Sequence, residues 1–289
     1  IILLNFLITS CNDTDGTPVD EVCVTENHHI TLDKYITKLS YTNLWDNQLE
    51  NYEYTYNEFN LLAGMDQPPF NGSHERFFNY QCNNNVRKVS SNSNNTRKYT
   101  YNSENQLIAF SGVQVYHNDY EIVYNGNTIS VIGTIDTLED TEITLEINAS
   151  NLITKVTRAT NYSTFEYDVN GNLIKAKDFD LNNELLNSYE LTYDEHPNPF
   201  YEQLSSIYLE RFIHYFDTSA SDGVYIFFSD NGFNFPYLRN NMVLLKDVGC
   251  TGCYPNLMER VYTYDSENYP TKIEESHVGA PPIIYNIEY

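Results

Sequence analysis

The sequence predicts an all-β protein: an extended, curled antiparallel meander of repeated β-hairpins that must close, barrel-like, or shield its edges, with at most one short helix. Three observations predict this. The chain holds 26 tyrosines and 37 asparagines in 289 residues, which pairs a strand-favouring residue with a turn-favouring one. A short unit recurs, with alternating aromatics, then Asp or Asn and a polar turn, then Leu or Ile. Within a unit the apolar residues stand two apart, the period of a strand and not of a helix.

The chain opens on a targeting segment. Residues 1–10 are apolar, then small, and too short to cross a bilayer, so they read as the end of a signal peptide. Ile8-Thr9-Ser10-Cys11 resembles a bacterial lipobox, in which the cysteine becomes the lipidated first residue. Residues 11–31 then form a lipidated, flexible tether, polar and acidic from Asn12 to Glu21. Acidic residues just after the cysteine resemble the signal that sends Bacteroidota lipoproteins to the cell surface. That resemblance implies an outer-membrane, outward-facing address.

Residues 32–289 read as a single repeat β domain. Its clearest units end at Tyr56, Tyr101, Tyr167, Tyr193 and Tyr264, with weaker copies ending at Tyr124 and Ile147. The gaps between successive anchors are 45, 23, 23, 20, 26 and 71 residues. The first is close to two units and the last close to three, so the period is ~20–26 residues. Tyr120, Ile122 and Tyr124 share one strand face, as do Ile143, Leu145 and Ile147, while Glu53, Thr55, Glu166 and Thr263 fall on the wetter face. In Asp168-Val169-Asn170-Gly171-Asn172 the Asn-Gly pair supplies the positive-φ positions of a tight hairpin. Two strands per unit are too few for a propeller blade.

An irregular insertion around 194–250 breaks the rhythm. Leu204, Ile207, Tyr208, Phe212 and Tyr215 stand at helical spacing, which predicts a short helix covering a sheet edge or end. Residues 227–233 read as strand, turn, strand.

These motifs resemble those of YD-repeat proteins, Tyr167-Asp168-Val169-Asn170-Gly171-Asn172-Leu173-Ile174 most closely. Residues 194–200, Asn240-Asn241 and 264–273 are similar to uncharacterised Bacteroidota surface lipoproteins with a rolled or porin-like β-sheet. The resemblance covers most of residues 45–275 and implies architecture and address, not an activity.

The net charge of −24, with 16 Lys+Arg, argues against nucleic acid as a partner. With Cys11 lipidated, Cys23, Cys82, Cys250 and Cys253 make an even set for two disulfides, with three connectivities open. Cys250 with Cys253 is the local pairing, and Cys23 with Cys82 would pin the tether to the sheet. A lone C-x-x-C lacks the second pair of a four-thiolate zinc site. Adjacent His28 and His29 face opposite ways on a strand and make a poor metal site. Asp178-Phe179-Asp180-Leu181-Asn182-Asn183-Glu184 alternates acidic oxygens like a calcium loop, but Asn182-Asn183 fits a hairpin turn without a metal. Asp136-Thr137-Leu138 resembles the Bacteroidota O-glycosylation motif. No H-E-x-x-H or G-x-S-x-G occurs.

No catalytic residue, cofactor or metal is assigned. The sequence reads as a non-enzymatic surface lipoprotein, a binding or scaffold component of an outer-membrane β-barrel complex. The alternatives are a glycan-binding lipoprotein for nutrient capture, with exposed Tyr or Trp45 as platform, and a hydrolase. Recognition belongs on irregular segments borne by a rigid scaffold. The candidate contacts are therefore the insertion's aromatics, Tyr201, Tyr208, Phe212, Tyr215, Phe227, Phe228, Phe233, Phe235 and Tyr237.

Overall fold

The computed structural model describes residues 32–42, 48–67, 74–91, 96–113, 119–134, 141–210, 212, 238–249 and 256–289. They form eighteen strands. The first nine are β1 (Lys38–Thr42), β2 (Leu49–Tyr56), β3 (Leu62–Gln67), β4 (His74–Tyr80), β5 (Val86–Ser91), β6 (Thr96–Tyr101), β7 (Leu107–Val113), β8 (Asp119–Asn125) and β9 (Thr128–Thr134). The remainder are β10 (Thr141–Ile147), β11 (Ile153–Thr157), β12 (Asn161–Tyr167), β13 (Leu173–Asp180), β14 (Leu185–Pro197), β15 (Asn240–Asp247), β16 (Asn256–Tyr264), β17 (Pro270–His277) and β18 (Ile283–Glu288). Each strand pairs antiparallel with the next, and β1 pairs with β18. The meander therefore closes into a barrel, which removes every sheet edge. Ahead of β1, Lys34 reaches the β16–β17 turn, where its Nζ lies 2.6 Å from Asp265 and also meets Glu267.

At one end of the barrel the hairpins share a five-residue turn, at 57–61, 81–85, 102–106, 148–152, 168–172 and 265–269. Its first residue is Asn or Asp in all but one. That side chain accepts backbone N–H bonds from two and four residues on, as Asn57 Oδ1 does from Phe59 and Leu61 at 2.9 and 3.0 Å. Asn102, Asn148, Asp168 and Asp265 do the same. The fourth residue is left-handed: Asn60, Asn84, Asn105, Asn151, Gly171 or Asn268. Asparagine tolerates that region through its short polar side chain. This explains how the repeat dispenses with glycine in most copies. It also corrects the Asn170-Gly171 reading, since Gly171 alone of the two has positive φ, at 86°.

After seven of the eight hairpins at this end the register shifts by one residue: β2–β3, β4–β5, β6–β7, β10–β11, β12–β13, β14–β15 and β16–β17. Such a bulge takes a carbonyl out of the ladder, and a buried carbonyl needs another donor. A tyrosine from the following hairpin supplies it every time. Tyr80, Tyr101, Tyr124, Tyr167, Tyr193, Tyr262 and Tyr289 donate to the carbonyls of Leu62, Val86, Leu107, Ile153, Leu173, Met242 and Pro270, at 2.6–3.0 Å. The exception is β8–β9, joined by Gly126 and Asn127 with no bulge. There the next hairpin carries Ile147, which has no hydroxyl to give. The weak copy of the repeat is thus the one copy with no carbonyl to satisfy.

The two long gaps in the spacing resolve differently from each other. The gap from Tyr56 to Tyr101 does hold one more unit, ending at Tyr80. Between Tyr193 and Tyr264 the described residues hold no further unit: β14 and β15 form a single hairpin whose connection carries residues 198–239. The helix is a 3-10 turn at Ser205–Ile207 running into one α-turn at 208–210. It covers no edge, since the closed barrel has none.

The core lies inside the barrel. Tyr52, Tyr54, Tyr99, Phe110, Tyr120, Leu145, Phe165, Leu191, Leu245 and Ile273 all point inward and are buried in one continuous cluster. Tyr120 lies across Gly133 on the neighbouring strand, where a Cβ would fall 2.2 Å from its ring. The outward face is polar. Lys155–Glu146 and Lys175–Glu190 pair across strands at 3.4 Å each. Glu53, Asp66 and Glu75 stand directly opposite one another on β2, β3 and β4, a like-charge row that only water makes tolerable.

Candidate functional site

The polarity of the wall decides what kind of barrel this is. A membrane-spanning barrel presents an apolar band to lipid and a polar lumen. Here most outward positions are polar or charged, with apolar exceptions such as Phe77, Val123, Ile132 and Val261, while tyrosine, leucine and isoleucine fill the inside around a few paired charges. The described strands therefore form a water-facing barrel. Eighteen strands enclose more space than wall side chains fill, so a dry interior needs further chain within it.

The insertion supplies that chain. Asn198 closes its neck, donating from N–H to Arg239 and from Nδ2 to Leu238, at 2.9 and 2.8 Å. Phe200 then packs edge-on against Tyr54, with ring centroids 5.0 Å apart. Gln203 is 1% exposed, and its Oε1 accepts from Leu62 N–H at 2.8 Å while its Nε2 donates to the Asn60 carbonyl at 2.9 Å. Ser206 Oγ accepts from Val86 N–H at 2.9 Å. Glu210 pairs with Arg97 on β6, and Phe212 meets Phe165 on β12 edge-on at 5.2 Å. These partners come from β2, β3, β5, β6 and β12, so residues 198–210 and Phe212 form a plug inside the barrel.

Each polar group on the plug replaces a bond that the wall would otherwise lack. Leu62 and Val86 each follow a turn, where the ladder leaves an N–H open. Gln203 and Ser206 satisfy those two. The Arg97–Glu210 pair is a larger commitment, because Glu210 is nearly sealed from solvent. Burial alone would lower the pKa of Arg97, but the Glu210 carboxylate outweighs it and holds the guanidinium above its ordinary value. Across the barrel, Arg260 Nε meets Glu275 Oε2 at 2.7 Å, and Glu275 Oε1 lies 2.6 Å from His277 Nε2. Burial would raise the Glu275 pKa, yet Arg260 and His277 hold it below the usual carboxylate value.

The neck has its own latch. Asn172 and Asn240 bond reciprocally, side-chain amide to side-chain oxygen at 2.9 Å and backbone N–H to side-chain oxygen at 3.0 Å. Asp194 accepts from Asn241 N–H at 3.2 Å and from the Tyr264 hydroxyl. Sequence reading noticed Asn240-Asn241 and Asp194 only as part of a resemblance. It missed Gln203, Ser206, Glu210 and Arg97 altogether. The available signal was the break in rhythm itself, which marked where the plug begins.

Of the predicted contact residues, Tyr201 is half-buried at the neck. Tyr208 and Phe212 are packed inside: Tyr208 places its hydroxyl 3.4 Å from that of Tyr167, and Phe212 is 3% exposed. Helical spacing correctly flagged an apolar face there, but that face meets the barrel interior. Tyr215, Phe227, Phe228, Phe233, Phe235 and Tyr237 lie outside the described residues, as do Cys11, Cys23, Cys250, Cys253, His28, His29, Trp45 and Asp136-Thr137-Leu138. Cys82 sits in the β4–β5 turn and is disulfide-bonded. In the calcium-like loop, Asp180 Oδ1 accepts from the N–H groups of Asn182 and Glu184 at 2.9 and 2.8 Å, with Asn183 left-handed. The hairpin turn accounts for those residues.

The buried carboxylates are each engaged. Asp178 accepts from Ser163 Oγ at 2.6 Å, Glu210 meets Arg97, and Glu275 meets Arg260 and His277. Among the described residues no group of three or more His, Cys, Asp or Glu is placed to hold a metal ion.

No family model matches the chain, and no curated protein matches it. Solved structures do. A porin-like protein from Bacteroides vulgatus is 14% identical, covering 89% of this chain and 99% of that one, with a TM-score of 0.41. A porin-like protein from Bacteroides uniformis is 12% identical, covering 88% and 97%, with a TM-score of 0.47. The Tc holotoxin pore of Photorhabdus luminescens is 10% identical over 83% of this chain and 15% of its own, with a TM-score of 0.29.

Proposed function

We propose that this protein is a non-enzymatic scaffold of the outer membrane, lipid-anchored through Cys11 and facing the cell exterior. On this reading it serves as an accessory subunit of an outer-membrane β-barrel complex. The observation that carries the reading is the inverted polarity of the barrel. A wall with glutamates and lysines outside and a plugged apolar lumen neither sits in lipid nor conducts. Such a barrel needs a separate anchor to stay at a membrane, and the lipobox-like Ile8-Thr9-Ser10-Cys11 offers one. Its work is then to hold loops and the rest of the insertion in fixed positions for a protein partner.

Two experiments test this. Cys11→Ala should move the protein from the membrane fraction to the soluble one; retention on membranes in high salt would sink the anchored-scaffold reading. A mild-detergent pull-down from native membranes should recover an outer-membrane barrel protein. That recovery should fail once Phe227, Phe233, Phe235 and Tyr237 are replaced by serine. Recovery of the same partner with all four replaced would place the contact elsewhere.

A further inference from the structure

The turn end of the barrel carries a cleft that the scaffold does not require. It lies between the β10–β11 turn (148–152) and the β12–β13 turn (168–172), beside the plug neck, and measures about 480 Å3. Small ligands typically occupy sites of about this size. Tyr201, from the neck, lines one side. Ser150, Glu166 and Asn170 also line it, with Asn148 and Thr154 and with apolar side chains such as Leu152 and Val169.

What distinguishes this cleft is how many of its polar groups are uncommitted. Asn148 and Asp168 hold their own turns through their side-chain oxygens. Thr154 Oγ1 donates to the Glu146 carbonyl at 3.2 Å. By contrast, the Ser150 hydroxyl, the Asn170 amide, the Glu166 carboxylate and the Tyr201 hydroxyl make no hydrogen bond among the described residues. Glu166 also stands beside Lys175 in register without forming an ion pair with it. One aromatic ring, one hydroxyl, one amide and one carboxylate therefore line the same cleft.

We propose that this cleft binds a neutral carbohydrate, stacked on Tyr201 and hydrogen-bonded by Glu166, Asn170 and Ser150. The lining selects that class. It contains no Lys or Arg, so it offers nothing to a phosphate or carboxylate. An apolar ligand would strand the polar groups against it. A metal ion would need several convergent oxygens, and the oxygens of Asp168 are already taken by Asn170 N–H, Asn172 N–H and Asn172 Nδ2. A sugar has an apolar C–H face for the ring, and hydroxyls that both donate to a carboxylate and accept from an amide. The site is independent of the scaffold reading, which concerns the insertion beyond residue 212 and a protein partner.

Isothermal titration of the full chain with cellobiose, maltotriose, mannotriose and chitotriose tests it. At least one should bind. Tyr201→Ala should weaken that binding about tenfold, Tyr201→Trp should restore it, and Glu166→Gln should weaken it with the circular dichroism spectrum unchanged. Should Tyr201→Ala fail to fold, Glu166→Gln and Asn170→Ala, both on exposed positions, carry the same test. No binding of any of the four sugars by the wild-type chain overturns the proposal, as does binding that neither Tyr201→Ala nor Glu166→Gln changes. Pull-down of the protein partner by Glu166→Gln separates the two readings, since Glu166 lies on β12, outside the insertion, and this variant should retain the partner.

Discussion

The two ends of the barrel are built on different rules. At one end six hairpins share a five-residue turn, a left-handed fourth residue and, past the bulge, a carbonyl capped by the next hairpin's tyrosine. At the other end the nine connections vary in length, from 158–160 to 248–255. Among their described residues, 181–184 repeats the paired Asx bonds at Asp180, and Asp247 accepts from Gly249 N–H at 3.0 Å. An antiparallel meander forces alternate connections to opposite ends, so a repeat can discipline one end and leave the other free. The difference teaches that the repeat is a closure device. Each tyrosine satisfies the hairpin before it, so order passes around the ring, while the opposite rim is available for variation.

The comparison can be broken most forcefully through the plug, which enters from the disciplined end. Glu210→Ala leaves the half-buried Arg97 without its carboxylate and should cost about 3 kcal/mol by chemical denaturation. A loss below about 1 kcal/mol would mean that the pair is solvated and the plug is not seated. Next comes the turn: Gly171→Val forces a β-branched residue to φ 86° and should cost roughly 1–3 kcal/mol. Gly171→Asn should be nearly neutral, because Asn fills the same position in five sister turns. Equal losses from Val and Asn would refute the backbone explanation.

The tyrosine rule is sharpened by Tyr193→Phe, which leaves the Leu173 carbonyl without its donor and should cost about 1–3 kcal/mol. The same denaturation measurement on Ile147→Tyr should show no gain, as β8–β9 has no freed carbonyl to meet. Acid titration probes the wall opposite the plug. Glu275 has its folded pKa below the unfolded value of 4.5, so its contribution is present above that pH and is lost as pH falls through the folded value. Denaturation midpoints should drop through that window, and His277→Gln should shift the drop to higher pH. The smallest effect belongs to the free rim: Leu181→Ser, at a residue 59% exposed, should change stability by less than about 0.5 kcal/mol.

How much of this was legible in the sequence varies with the distance over which the cause acts. Alternation in Tyr120-Glu121-Ile122-Val123-Tyr124 marked a strand with one wet face, because side-chain direction is a property of neighbouring residues. The Asp and Asn turn openers were legible for the same reason. The role of the tyrosines was not. Packing accounts for a ring, but a hydroxyl that caps a carbonyl 14 to 20 residues earlier is visible only once the register is known. The helical spacing from Leu204 to Phe212 found a real apolar face and gave it the wrong neighbour, since spacing says which residues point together and not what they point at.

By itself, then, the sequence determined the class of element, the alternation along each strand and the residues that open most turns, all of which are settled within a few residues. Only the tertiary structure decided that the meander closes, that β1 meets β18, and that the insertion passes inside. Closure depends on twist and stagger summed over eighteen strands, and small angles accumulated over that many steps leave no trace in any one unit. Which face became interior was likewise a collective outcome. The tyrosine-rich face could have packed against a partner or a second sheet, and it turned inward because a ring of hairpins and a plug of matching polarity together removed it from water.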